Sequence, residues 1–190
     1  MRGICIIILF LFCVGCTSNG FEKYKKLAAK ELSTGKRTDS IFMGIYLGMP
    51  TKDFYTHCWQ MNKKGIFSDG YNNNYVLYKL NKNELKHPAS MNFYPDFLDK
   101  KIYRMRVIYQ YDGWAPWNKP LLSDSLLPDI IKLYKSWYSG GNDFIRIDDP
   151  KKGTIYVKVD NNRQITIGKF DDMYVKVDFT DMIAEQQIKK

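Results

Sequence analysis

Four strand-like runs stand almost end to end late in the chain: DFIRIDD (143–149), GTIYVKVD (153–160), RQITIGKF (163–170) and DMYVKVDF (172–179). Links this short leave room only for tight reversals, so neighbouring runs pair antiparallel. Asp160-Asn161-Asn162 suits a hairpin turn, because asparagine tolerates positive φ. Asp171-Asp172 is a second candidate. Strict alternation in TIYVKVD and MYVKVDF predicts a sheet with one covered face and one wet face. Such a sheet needs a lid, and the lid has to come from elsewhere in the chain.

Two segments have the right pattern. In GMPTKDFYTHCWQMNKKG, Pro50 suits a first helical turn, Asp53 favours the positive end, and Gly65 ends the helix. Phe54, Tyr55, Cys58, Trp59 and Met61 are predicted to form its apolar arc. In SDSLLPDIIKLYKSWYSGG, Ser123 or Ser125 can cap the helix, Pro128 falls near its start, and Gly140-Gly141 stop it. Leu127, Ile130, Ile131, Tyr134 and Trp137 are its predicted stripe. After the first helix come NYVLYKL (74–80), ASMNFYPDF (89–97) and KKIYRMRVIYQY (100–111). Pro95 marks the second of these as an edge strand or a strand end. The expected fold is therefore α+β: two helix-then-β-meander halves forming one antiparallel sheet, with two helices packed on one face. Residues 41–180 make one domain, and 181–190 are a polar tail that frays or forms one helical turn.

The beginning of the chain sets the compartment. Arg2 precedes an apolar run, Ile4 to Val14, in the layout of a secretory signal peptide. As a helix the run covers only about 16 Å, against a bilayer core of about 30 Å. It ends in Cys13-Val14-Gly15-Cys16 followed by Thr17-Ser18-Asn19-Gly20. This resembles the lipobox of bacterial lipoproteins, although Cys13 stands where that family usually has leucine. The resemblance implies cleavage after residue 15 and acylation of Cys16, the lipid being the protein's link to the membrane. Several acyl chains anchor firmly, since each buried CH₂ contributes about 0.8 kcal/mol. Thr17, rather than aspartate, implies sorting to the bacterial outer membrane, facing the periplasm or the surface. Of the cysteines, Cys5 and Cys13 leave with the leader and Cys16 is acylated. Cys58 alone remains, so no internal disulfide is expected.

The formal charge is +9. Nucleic acid is not the expected partner, because export removes the protein from it and the lysines are scattered. Much of the excess lies in EKYKKLAAKELSTGKR, within a basic tether spanning 16–40. That tether is either an amphipathic helix on anionic headgroups, recurring through Phe21, Tyr24, Leu27, Ala28 and Leu32, or a solvated linker.

IYLGMPTKDF, residues 45 to 54, looks like the helix start of BamE/SmpA-type outer-membrane assembly lipoproteins and of β-lactamase-inhibitor-protein-like modules. Gly48 and Met49 sit in the motif; Pro50 stands where the usual Ser or Thr cap falls. The chain also resembles Asn-, Tyr- and Lys-rich lipoproteins of Bacteroidetes. These resemblances imply a non-catalytic protein-binding or assembly-scaffold role, with a protein partner in the envelope.

No catalytic arrangement stands out. His57 and Cys58 are helix neighbours pointing about 100° apart, so they make no dyad. Cys58 reads as a buried small hydrophobe. With His87 as the other histidine, no metal-ligand spacing appears, and no cofactor is expected. Asp148-Asp149 and Asp171-Asp172 read as turn residues, and a hydrolase would need acids that the sequence does not pair. The expectation is a protein that is not an enzyme. The alternative to protein binding is a surface glycan or small ligand bound at YDGWAPWNKP (111–120). There Trp114 and Trp117 would stack on a ring, with Tyr109, Tyr111 and Lys119 around them.

Overall fold

A computed structural model describes residues 20–70, 74–81, 83–149 and 153–188. The predicted leader (1–15) and the predicted acylation site Cys16 lie outside the described residues. Eight strands form one antiparallel sheet: β1 Phe67–Asp69, β2 Val76–Leu80, β3 Ala89–Leu98, β4 Lys101–Tyr111, β5 Ile145–Asp149, β6 Gly153–Asp160, β7 Arg163–Lys169 and β8 Val175–Asp181. Their order is β1-β2-β3-β4-β8-β7-β6-β5. Each half is thus a four-strand meander, and the last strand of one pairs with the last strand of the other, in register at Val107↔Val177.

One face is the core. Met91 and Phe93 of β3, Met105, Val107 and Tyr109 of β4, Ile165 and Ile167 of β7, and Val175, Val177 and Phe179 of β8 are buried on it. Its lid is α2 (Thr51–Lys63) and α3 (Ser123–Trp137), as the sequence predicts. The stretch before α2 adds Ile41, Phe42, Ile45, Leu47 and Met49 to the same core.

The details of the lid differ from the sequence reading. In α2 only Phe54 is buried; Cys58 and Met61 pack at the edge, and Tyr55 and Trp59 face outward. Lys63 sits over the Trp59 ring at 3.6 Å, which shelters an indole that the core leaves out. In α3 the buried line is Leu126, Ile130, Leu133 and Tyr134, with Leu127, Ile131 and Trp137 at its flank. Neither predicted serine caps this helix. The Ser123 hydroxyl instead donates to Asp171 O at 2.5 Å, tying the helix start to the β7–β8 turn.

Two further corrections concern the strands. β1 is only three residues long, too short to show alternation, and was not predicted. β3 is interior rather than an edge. Its pairing with β2 stops at Val76↔Phe93, so Pro95 falls where β3 is registered with β4 alone. The Asn161-Asn162 hairpin forms, with Asn161 at φ 54.

The stretch predicted as a tether is largely helical: α1 spans Gly20–Ser33. It lies on the opposite face of the sheet from α2 and α3. Tyr24, Leu27, Ala28 and Leu32 pack on Ile147, Val157, Val159 and Met182, forming a second, smaller cluster. The Tyr24 hydroxyl donates to Gln164 Oε1 at 2.7 Å, and Glu31 Oε2 accepts from Asn161 N–H at 2.8 Å. The tail also folds, as α4 (Met182–Ile188). Asp181 Oδ1 accepts from Ile183 N–H at 3.0 Å in the manner of an N-cap.

Candidate functional site

The predicted aromatic loop does not assemble as one surface. Tyr109 and Tyr111 fall on the core-facing parity of β4 and are fully buried. The Tyr109 and Tyr134 hydroxyls hydrogen-bond at 2.9 Å, and Tyr111 donates to Asp129 Oδ2 at 2.6 Å. Desolvation raises both phenols well above the usual tyrosine range. Trp114 is half-buried and donates from Nε1 to Asp172 O at 3.2 Å. It lines a depression of about 380 Å³ with Pro116, Leu122 and Met173. Trp117 is 85% exposed, and Lys119 is exposed beside it. Of the five residues, therefore, Trp114, Trp117 and Lys119 reach the surface.

The remaining chemical candidates are dispersed. His57 Nε2 lies 2.8 Å from Met43 O. His87 meets the Tyr111 ring edge-on at 5.3 Å between centroids. Burial pushes the Cys58 thiol up to about 12, far from the thiolate a nucleophile needs. Asp148 accepts from Arg146 and Thr154, while Asp171 Oδ1 caps its own turn through the N–H groups of Met173 and Tyr174. No three His, Cys, Asp or Glu residues converge as metal ligands among the described residues.

A cluster that the sequence did not reveal is buried instead. Lys158, Asp160 and Arg163 are each less than a tenth exposed. Asp160 Oδ2 accepts from Arg163 Nη2 at 3.0 Å and pairs with Lys158 Nζ at 3.3 Å. Lys158 Nζ also donates to the carbonyls of Gly140, at 2.7 Å, and Asn142. Arg163 Nη1 donates to Ser40 O at 2.7 Å, and its guanidinium lies 5.0 Å from the Tyr138 ring. Asp160 Oδ1 accepts from Asn142 N–H at 2.9 Å. Gly141 sits against it with φ +76, and a Cβ there would come 2.1 Å from Asp160 Oδ1. Three segments are thereby held together: the α3–β5 loop, the β6–β7 hairpin and residues 38–43.

Asp160 and Arg163 border a cleft of about 950 Å³, together with Glu31, Phe42, Glu84 and Trp137. Its size is in the range of small-ligand sites. Its polar groups, however, are turned to the protein itself: Glu31 to Asn161 N–H, Glu84 to Asn81 N–H, and Asp160 to three donors. The cleft is a clamp between segments, with few groups left to converge on a ligand.

A further candidate surface is the sheet face opposite α2 and α3. α1 covers its β5–β6 end and reaches β7 at Gln164 through the Tyr24 hydroxyl. From β7 to β2 the face carries Arg104 paired with Asp178 at 3.0 Å, Arg106 with Asp96 at 2.8 Å, and Lys176 with Asp178 at 3.3 Å. Beside these pairs, Tyr75, Asn92, Ile108, Gln110, Phe170 and Tyr174 line a shallow hollow of about 210 Å³. At roughly 4.8 Å between strands the five-strand face is about 19 Å wide. The hollow alone is too small for a drug-sized molecule, for which about 300 Å³ is a lower bound.

No family model matches the chain, and no significant match is found among curated proteins or solved structures. No helix among the described residues is long and apolar enough to cross a membrane. The fold defines an α+β protein with one eight-stranded antiparallel sheet, helical lids, and one face that the described helices cover only in part.

Proposed function

We propose that the chain is a lipid-anchored protein of the bacterial outer membrane, held by an acylated Cys16, whose α+β domain binds an envelope protein without catalysing a reaction. One observation carries the binding reading: a sheet face about 19 Å wide on which, among the described residues, no helix packs from β2 to the part of β7 beyond Gln164. Tyrosine and arginine are the side chains that protein interfaces favour, and both are on this face. Their charges are already paired, so a partner gains contact area without stripping lone ions of water. A broad face with only a small hollow fits a protein surface better than a small molecule.

The test is co-purification from detergent-solubilised membranes with wild-type protein and with Ile108→Asp and Phe170→Ser, which alter the hollow. The expected result is a defined stoichiometric partner that both variants lose while remaining folded. Retention by both variants contradicts the assignment to this face. Trp117, at 85% exposed, favours a second reading, a glycan stacked on the indole. Glycan-dependent retardation in affinity electrophoresis, abolished by Trp117→Ala, would select that reading.

A further inference from the structure

The outward side of α1 is chemically one-sided. Lys23, Lys26 and Lys30 recur at i, i+3 and i+7, which aligns them on one stripe of the helix. All three are exposed, and none has an ion-pair partner among the described residues. The acids of the same helix do not offset them. Glu31 is turned to Asn161 N–H, and Glu22 pairs with Lys25 at 3.3 Å. Phe21 is 45% exposed at the first turn, with Lys25 Nζ 4.4 Å from its ring. The helix is fixed to β5 and β6 through Leu27, Ala28 and Leu32, so the stripe keeps one orientation relative to the sheet.

We infer that this stripe is a docking surface for an anionic phospholipid bilayer, and that it sets the angle at which the domain stands on the membrane. The inference rests on the acylated Cys16 of the proposed function. Only three residues, Thr17, Ser18 and Asn19, separate that cysteine from Gly20, four steps of the chain with a reach of at most about 14 Å. A helix tethered so closely cannot leave the lipid surface, and lysines near anionic headgroups are attracted cooperatively with such an anchor. A protein partner on the stripe would be tied to no such proximity. The partner chemistry is therefore the headgroup layer.

The experiment reconstitutes the native acylated protein in vesicles of phosphatidylcholine alone, or of phosphatidylcholine with phosphatidylglycerol. A lysine-acetylating reagent then reads each amine by mass spectrometry. The expected result is several-fold slower modification of Lys23, Lys26 and Lys30 on the anionic vesicles, reversed by high salt. Lys132 and Lys135, exposed on α3, keep one rate throughout. Equal rates on both vesicles, or slowing shared by the α3 lysines, overturn the inference. Failure of the anchor shows separately, as protein that does not float with neutral vesicles. In that event flotation with anionic vesicles still reports on α1. There the triple variant K23Q/K26Q/K30Q is expected to lose on the order of a hundredfold in partitioning, and an unchanged partition overturns the inference.

Discussion

Among the described residues, Asp160 is the one carboxylate paired with both Lys158 and Arg163 in the interior. Removing a single member of a buried charge group costs more than the pair contributes, because the remaining charges stay buried without compensation. Asp160→Asn is accordingly expected to destabilise the fold by about 3–5 kcal/mol, read as a lower urea midpoint at unchanged slope. A loss within the range of ordinary surface substitutions would show that the cluster is not a clamp. Cys58 gives a second expectation. With its thiol raised to about 12, the folded protein holds the proton through neutral and mildly alkaline pH, so reaction with a thiol reagent at pH 8 is expected to be much slower than in urea. Equal rates would contradict the packing of Cys58. The cluster was illegible in the sequence for a specific reason. Ile155, Val157 and Val159 alternate with Tyr156, Lys158 and Asp160, and the rule of one covered face assigns the polar set to water. In the fold both sets are covered, the apolar one by α1 and the polar one by the α3–β5 loop.

At the scale of elements, α1 has the most consequence. A solvated linker would leave Val157 and Val159 exposed; docked α1 buries them. Gly20 allows the approach, since a Cβ there would lie 2.1 Å from Arg146 O. Gly20→Val is expected to lift the first turn from β5 and cost about 1–3 kcal/mol, with amide protection falling across residues 20–28 and unchanged in α3. Unaltered protection in α1 would contradict the docking. The recurrence of Tyr24, Leu27, Ala28 and Leu32 was visible in the sequence, but what they cover was not. The same held for α2 and α3: helix positions followed from prolines, glycines and periodicity, whereas the buried stripe of α3 shifted by about a residue and the arc of α2 narrowed to Phe54. Trp59 shows why. An aromatic on the shoulder of a short helix can stay exposed and take a neighbouring lysine on its ring instead of entering the core.

At the scale of the molecule, the two meanders share one core and one sheet. β4 and β8 form the seam, with Met105↔Phe179 and Val107↔Val177 buried on it. A core that crosses the seam predicts one cooperative unfolding transition, with tryptophan fluorescence and far-ultraviolet circular dichroism coinciding. Two separated transitions would mean that the halves are independent. This architecture was the most legible part of the sequence, because short links and alternation leave few ways to arrange strands. The predicted loop site was less so. β4 alternation places Tyr109 and Tyr111 inward, and that parity is set only once the core face is known. The sheet face opposite α2 and α3 and the basic stripe of α1 acquire their proposed meaning from the anchor. The most direct measurement is therefore the intact mass of the native N-terminus purified from membranes. The account predicts a chain beginning at Cys16, with a thioether-linked diacylglycerol and an amide-linked acyl chain. A free thiol at Cys16, or a chain that still begins at Met1, would contradict it.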